Sequence, residues 1–542
     1  MALASRCVAL AAAVTLLNAS LSFQNVWPTP AIRWEGELSV ELAACLLVLV
    51  IGRRWFGRPP RRTLRWIAAL WVLLVVGHYA DVTAPALYGR DINLYWDLRY
   101  MPDVAAMMAR AAPLWLLVLV VSATVLTIIL LYVLFRWALH RIGEAMDSSR
   151  QRLAIGLFAT GVMLLFAARR VPALSASLPE VPAFSTAVTQ TYARQARLVI
   201  DALSGSTSLA PSPPMNADLA LVQGADVFLV FIEAYGAVTY ERPDIAPGLA
   251  ASRAHLDAAI RATDRDVVSA FVESPTFGGS SWLAHVSLMS GVEVRDAETN
   301  ARLMTQKRET MVTTFARRGY RTLALMPGLR QRWPEGAFYG FDDVYGAARL
   351  DYGGPEFGWF AVPDQFSMAR FDALEVSRPA RPSLFVFFPT ISTHFPFSPT
   401  PPYQPDWPRM LNQRPYDGPA IVRAYAREPD WTHFGPGYVD AVSYTYETFG
   451  GYLRAHADRD FVMILIGDHQ PAAAVSGEGA PWDVPVHVIA SKASRQRVLD
   501  RLLARGFHGG LTPARPALGR MHALLPLLFD VFSEREPTGT ER

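Results

Sequence analysis

The stretch Asp226–Gly236, "DVFLVFIEAYG", carries six apolar residues from Val227 to Ile232 straight into the carboxylate of Glu233. An unbroken run of β-branched, aromatic and aliphatic residues of this length reads as a strand buried on both faces. The same pattern recurs as "DVVSAFVES" (266–274), "YRTLALMPG" (320–328), "SLFVFFPTISTHF" (383–395), "FVMILIGDHQP" (461–471) and "VPVHVIAS" (484–491), with polar helical stretches between them. Alternation of this kind predicts an α/β domain with a mainly parallel central sheet, and ligands of such sheets gather beyond the carboxyl ends of the strands.

Three of these strands end in chemistry-bearing residues. One delivers Glu233, a second delivers Asp468 and His469 side by side, and a third delivers His394 a few residues past its end. A charge at the end of a buried strand is costly unless it is paired or bound to metal. One divalent cation shared by Glu233, Asp468 and His469 would satisfy all three, and the oxygen and imidazole mixture suits zinc or manganese better than calcium. Each feature alone has a plainer reading: the Glu as an ion-pair member, "GDHQP" as a turn with an Asp cap. A fourth segment, "FVESPTFGGSSWLAHVSLMSG" (271–291), is a glycine-bearing turn followed by a helix start. It puts Ser280 and Ser281 where free backbone N–H groups and the positive helix end favour an anion. A serine beside a metal can lose its proton and attack phosphorus or sulfur; a serine in this place can equally serve only as a helix cap.

The chain is 542 residues long and 51% hydrophobic, too long for one ordinary domain and too apolar to be simply soluble. Five apolar runs occupy its first third, roughly 7–23, 38–51, 64–80, 113–139 and 153–168, and read as five membrane spans. Arg53, Arg54, Arg58, Arg61, Arg62 and Arg65 crowd the second connection, and Arg136, Arg141, Arg150 and Arg152 the fourth. These clusters are read as topology signals that place both connections and the N-terminus in the cytoplasm. The rest of the chain then lies outside. Between the third and fourth runs, "ALYGRDINLYWDLRYMPD" carries Asp91, Asp97 and Asp103; these, with His78 and Asp81, are read as an interfacial belt with solvated charges in preference to a substrate lining. "STAVTQTYARQARLVIDALSG" predicts a helix along the membrane surface, and "SGSTSLAPSPPMNAD" a linker. The expected organisation is a transmembrane domain over 1–170, a juxtamembrane helix and linker over 171–224, and a catalytic domain over 225–535. Cys7 and Cys45 both fall in spans, so the exported part has no disulfide to hold it. A net charge of +3 gives no sign of nucleic-acid binding.

With "FIEAYG", "GGSSWLAHVSLMSG", "STHFPF" and "GDHQP" in this layout, the chain resembles the alkaline phosphatase and sulfatase superfamily. It is similar in particular to the membrane-anchored branch of lipoteichoic acid synthases, phosphoglycerol transferases and phosphoethanolamine transferases. The resemblance implies one divalent metal ion (manganese, zinc or magnesium) held by Glu233, a serine nucleophile, Asp468 and His469. Counting back ten positions from Gly291, as the family's spacing implies, lands on Ser281, with Ser280 one position off as the alternative. His285, four residues further on, is read either as a catalytic neighbour of the nucleophile or as a histidine packed under the helix start. His394 resembles the family histidine that faces the substrate phosphate, implying a transition-state stabiliser or leaving-group acid.

Trp333 matches the family's Trp- and Arg-bearing segment, but Glu335 stands where the family has Arg, leaving Arg330 or Arg332 for substrate contact. The sulfatase maturation pattern is broken by Leu283 in place of Pro and His285 in place of Arg. The implied activity is transfer of a phospho-headgroup, phosphoglycerol or phosphoethanolamine, from a membrane phospholipid donor to a glycan or lipid acceptor. A hydrolase of the same fold (phosphodiesterase or sulfuric ester hydrolase) is the alternative, and a catalytically inactive sensor or scaffold a more distant one. The implied location is the inner (plasma) membrane, with the catalytic domain periplasmic or extracellular.

Overall fold

The computed structural model describes residues 2–94, 97–98, 101–102, 105–106, 109, 113–171, 183–204 and 209–534. The chain divides into two compact units, Met1–Ser206 and Thr207–Arg542.

The first unit consists mainly of α1 (Ala2–Ala19), α2 (Val40–Phe56), α3 (Arg61–Tyr88), α4 (Leu114–Ala145), α5 (Ser149–Arg169) and α6 (Val188–Ser204). Each of the five apolar runs forms a helix, but among the described residues three helices, α3, α4 and α5, are long and apolar enough to cross a membrane. In α1 the apolar helical part is only Arg6–Ala19, and α2 is 17 residues long with Arg53 and Arg54 in its last turn. On α4, Val118, Leu119, Val120, Val121, Val125, Leu126, Ile128 and Ile129 are all exposed, which suits a lipid solvent and not water. Phe135, Ala138, Leu139 and Ile142 of the same helix are fully buried with Ala68 and Trp71 of α3. A short hairpin that the sequence did not announce, β1 (Phe23–Asn25) and β2 (Ile32–Trp34), follows α1.

The amphipathic α6 packs on α3: Tyr192 donates to the Leu73 carbonyl, and Arg194 pairs with Asp81 and Asp91. Asp97 pairs with Arg90, and His78 Nε2 lies 2.8 Å from the Phe23 carbonyl oxygen. These polar groups of the belt are therefore internally paired. Asp103, and residues 205–208 of the linker, lie outside the described residues.

The second unit is built on an eight-stranded sheet of β3 (Asp226–Ile232), β4 (Arg265–Glu273), β5 (Arg321–Met326), β6 (Asp343–Gly346), β7 (Leu384–Pro389), β8 (Phe461–Gly467), β9 (Asp483–Ser491) and β10 (His508–Gly509). The spatial order is β10-β4-β9-β8-β3-β7-β5-β6. The block β8-β3-β7-β5-β6 is parallel throughout, while β9 runs antiparallel to both β8 and β4, and β10 antiparallel to β4. Because side chains alternate across a strand, β3 sends Val227, Leu229 and Phe231 into one core and Phe228, Val230 and Ile232 into the other. The first core is covered by α8 (Ser281–Ser290), α9 (Met311–Arg317), α12 (Lys492–Ala504) and α13 (Leu524–Phe532). The second is covered by α7 (Ala250–Ala262), α10 (Asp364–Phe371) and α11 (Gly435–Ala455). With both faces covered, the strand ends are the places left for polar chemistry.

Candidate active site

β3 and β8 are neighbours in register, Ile232 opposite Gly467, so the residues that follow them emerge side by side. Gly467 is required there, because a Cβ would overlap the Tyr235 carbonyl of the adjoining turn. Asp468 Oδ1 accepts from the backbone N–H of Ala234 at 2.8 Å and of its own neighbour His469 at 2.7 Å. Glu233 is held by the loop after β7: its N–H donates to Thr390 Oγ1 at 3.1 Å and its carbonyl accepts from Thr393 Oγ1 at 2.5 Å. His469 Nδ1 sits 2.7 Å from the Gln470 carbonyl, which fixes the proton on Nδ1 and turns Nε2 toward the carboxylates.

The ligand atoms of Glu233, Asp468 and His469 lie within 4.8 Å of one another. Asp468 and His469 are 1% and 2% exposed. Burial, together with the Glu233 charge, pushes the Asp468 carboxyl up. His469 is also raised, the Asp468 and Glu233 carboxylates outweighing its burial. Glu233, although buried, is held below the usual carboxylate range by its hydrogen bond to His469. Two buried carboxylates this close repel unless a proton or a cation stands between them. Two carboxylates and one imidazole directed at one point form a donor set that fits a divalent metal ion.

Ser281 opens α8 and points into the same cluster. Its Oγ donates to Glu233 Oε2 at 2.9 Å and lies 3.2 Å from His469 Nε2. Ser280 precedes it with φ 62° and ψ 42°, a left-handed conformation, and its side chain makes no capping bond. Neither serine therefore acts as the side-chain cap that the sequence allowed, and only Ser281 contacts the acidic cluster. His285 lies beneath the helix start, its ring 4.5 Å from that of Phe231 and 5.2 Å from that of Phe387, with Nε2 buried and unpartnered. Burial lowers its pKa to about 3, so it is neutral. Of its two sequence readings, this is the geometry of the packed histidine.

The loop Thr390–His394 brings His394 to the same end of the sheet. Its Nδ1 sits 2.7 Å from the Phe395 carbonyl, and its ring meets Phe360 edge-on at 4.9 Å. The loop is braced from behind by buried Asp364, whose two carboxylate oxygens accept from the N–H groups of Ile391 and Ser392, each at 2.9 Å. Trp333 stacks on Tyr339 at 5.4 Å and packs on the core, so it supports the segment it belongs to. Arg330 is exposed, donates to the Trp359 carbonyl and lies over the Trp359 ring; Arg332 is exposed. Thr390, Thr393, Asp364 and Gly467 were not singled out from sequence. The threonines stand within the quoted "FPTISTHF", whereas nothing in the sequence around Asp364 signals its bracing role.

Residues 285–492 match the family model described as Sulfatase. The match lies wholly within the second unit, which is thus a sulfatase-like domain. The matched part includes His394, Asp468 and His469 and begins just after Ser281. Over nearly the whole chain, the structure is similar to the integral membrane lipooligosaccharide phosphoethanolamine transferase A of Neisseria meningitidis. That match has a TM-score of 0.50 at 14% identity and covers 91% of this chain and 88% of that one. It is also similar to a lipoteichoic acid synthase of Listeria monocytogenes (TM-score 0.37, 16% identity, 54% of this chain and 71% of that one). A third similar structure is the phosphoglycerol transferase of Streptococcus pyogenes in complex with sn-glycerol-1-phosphate (TM-score 0.36, 12% identity, 61% and 79%). No curated protein matches the sequence.

Proposed function

We propose that the chain is a metal-dependent transferase. It moves a phosphoglycerol or phosphoethanolamine headgroup from a membrane phospholipid to a glycan or lipid hydroxyl, through a covalent intermediate on Ser281. The observation that carries this reading is the Ser281 hydroxyl held 2.9 Å from Glu233 and 3.2 Å from His469, inside a cluster of metal-ligand type at the mouth of the sheet. Glu233, Asp468, His469 and Ser281 would hold one manganese, zinc or magnesium ion. When bound, such an ion lowers the pKa of the serine hydroxyl and neutralises phosphate charge.

In the first half-reaction Ser281 Oγ gives up its proton within the cluster and bonds to phosphorus. The bond from phosphorus to the diacylglycerol oxygen breaks as that bond forms. His394, with Nδ1 committed to the Phe395 carbonyl, has Nε2 available to protonate the leaving oxygen. In the second half-reaction an acceptor hydroxyl takes the headgroup, Ser281 regains its proton and His394 acts in reverse. Ser281 at the first position of α8 also places the phosphate at the positive end of a helix. This reading assigns the headgroup contact to exposed Arg330, with Arg332 two residues on.

A donor lipid is met at a bilayer surface, which gives α3, α4 and α5 a purpose beyond tethering. Under this reading α1 and α2 complete a five-span domain. The arginine-rich connections and the N-terminus face the cytoplasm, and the sulfatase domain is periplasmic or extracellular. A hydrolase of the same fold, with water as acceptor, uses the same residues and is the second reading. The test uses detergent-solubilised protein with labelled phosphatidylglycerol or phosphatidylethanolamine, with and without metal, and follows diacylglycerol release and capture of the label. Metal-dependent release that Ser281→Ala abolishes is the expected result. Release that survives Ser281→Ala would sink the serine mechanism; release of free phospho-headgroup with no uptake by glycan or lipid would favour the hydrolase.

A further inference from the structure

We propose that a basic cavity between α3 and α4 binds the headgroup phosphate of an anionic phospholipid. The cavity is a half-open groove of about 510 Å³ between the start of α3 and the last turns of α4. Arg61 and Arg65 enter it from α3, and Arg136 and His140 from α4. Each pair is spaced i,i+4, which puts its members on one helix face and aims both pairs at the same space. Arg61 is the first residue of α3, so the positive end of the helix adds to the charge.

The acids nearby in the chain are already engaged. Asp147 pairs with Arg53 and Arg58, and Glu144 with Arg141 and His140. Among the described residues no ion pair or hydrogen bond reaches Arg61, Arg65 or Arg136. Three guanidinium groups converging on one cavity repel one another unless an anion joins them, and phosphate is the anion that the planar guanidinium fork matches best. A topology signal needs only arginines somewhere in the connection, and Arg54 and Arg62 meet that need without lining the cavity.

The remaining walls select a lipid over free phosphate. Leu64, Val133 and Trp137 line the same cavity. Val133 continues into the exposed aliphatic band of α4 from Val118 to Ile129, a surface for acyl chains. A phosphate at the mouth and hydrocarbon along the helix is the outline of a phospholipid at a membrane face. On the topology proposed above the cavity is on the cytoplasmic side, so it is not the donor site of the proposed reaction. The cavity lies at the end of the bundle where α5 begins, and α5 runs 21 residues, about 30 Å, to Arg169 before the chain continues toward the sulfatase domain.

The inference rests on α3, α4 and α5 spanning a membrane. That premise is checked separately by alkaline carbonate treatment of membranes, which would release the chain without detergent if the premise were wrong. The cavity itself is tested with the full chain in neutral detergent, measuring lipid retention by native mass spectrometry and the rise in Tm. The probes are phosphatidylglycerol, phosphatidylcholine and soluble glycerol phosphate, applied to wild type, Arg65→Gln/Arg136→Gln, Arg65→Lys/Arg136→Lys and the charge-matched control Arg54→Gln/Arg62→Gln. Wild type should prefer phosphatidylglycerol to phosphatidylcholine. The cavity Gln pair should weaken phosphatidylglycerol binding roughly ten- to thirtyfold, and the control pair by less than about twofold. Should the Gln pair fail to fold, the Lys pair, which keeps charge but loses the fork, should show an intermediate loss. Equal binding of the two lipids by wild type, an equal loss in the control pair, or glycerol phosphate reproducing the lipid's effect would each overturn the proposal.

Discussion

Ser280 and Ser281 are adjacent and chemically identical, yet the backbone gives them different work. Ser281 takes up the helix and turns its hydroxyl to Glu233, while Ser280 absorbs the handover at φ 62°, a conformation that strains any residue bearing a Cβ. Ser280→Gly should therefore unfold within about 1 kcal/mol of wild type in urea, with strain relief set against added chain entropy, and keep its turnover. A loss of turnover comparable to that of Ser281→Ala would shift the nucleophile to Ser280. The spacing to Gly291 that the family resemblance implies favours Ser281 over Ser280 in the sequence, but the left-handed turn is not legible there, because it depends on how β4 and α8 meet. Glu233, Asp468 and His469 are legible for a different reason: a charge directly after a buried apolar run stands out. Asp364 is not, since a lone Asp before a helix reads as an ordinary acidic first-turn residue.

At the level of elements, the site is three strand-end loops braced against one another, and the brace on the His394 loop is Asp364. Burial raises its carboxyl to about 6, against the opposing pull of the Ile391 and Ser392 N–H groups. In Asp364→Asn one accepting oxygen becomes a donor facing a buried N–H, at a cost of about 1–3 kcal/mol. If His394 contributes to the chemical step, the loosened loop should lower kcat more than it alters KM, a split readable from steady-state rates. An unchanged kcat in a destabilised but folded variant would show that the brace is purely structural. Six of the eight strands in the sheet are legible as apolar runs. β6 and β10, four and two residues long, are too short to give a pattern. The antiparallel sense of β9 is also hidden, because a strand buried on both faces reads the same in either direction.

For the whole molecule, the sulfatase-like second unit carries a second buried polar cluster that bears on its stability. His487 lies 2.7 Å from Ser269 Oγ through Nδ1, and 3.1 Å and 3.2 Å from the Tyr235 and Tyr240 hydroxyls through Nε2. Burial, reinforced by the Arg253 charge, lowers its pKa from the ordinary 6.5 to about 3. Between those values the unfolded chain binds a proton that the native state does not. Stability should therefore fall as pH drops from 6.5 toward 3, by up to about 1.4 kcal/mol per pH unit from this group. Urea unfolding at pH 7 and pH 5 should show a larger acid loss in wild type than in His487→Gln; equal losses would remove His487 as the cause. The two-part layout is legible in the hydropathy alone, whereas the number of spans is not, because the first two apolar helices fall at the edge of spanning length. The arginine clusters likewise read as topology, since convergence on a cavity is a property of two helices and not of one loop.

Ala234 and Asp468 are hydrogen-bonded across 234 residues of chain. The pairing of β3 with β8 thus closes a very long loop, and contacts of such separation form late and slowly. A partly emerged or partly folded chain already carries Ser281 but not yet the pair that would activate it. On the proposed function, the nucleophile is in this way kept inert until the chain has folded, and a metal ion that recognises the completed cluster would stabilise only chains that have finished folding.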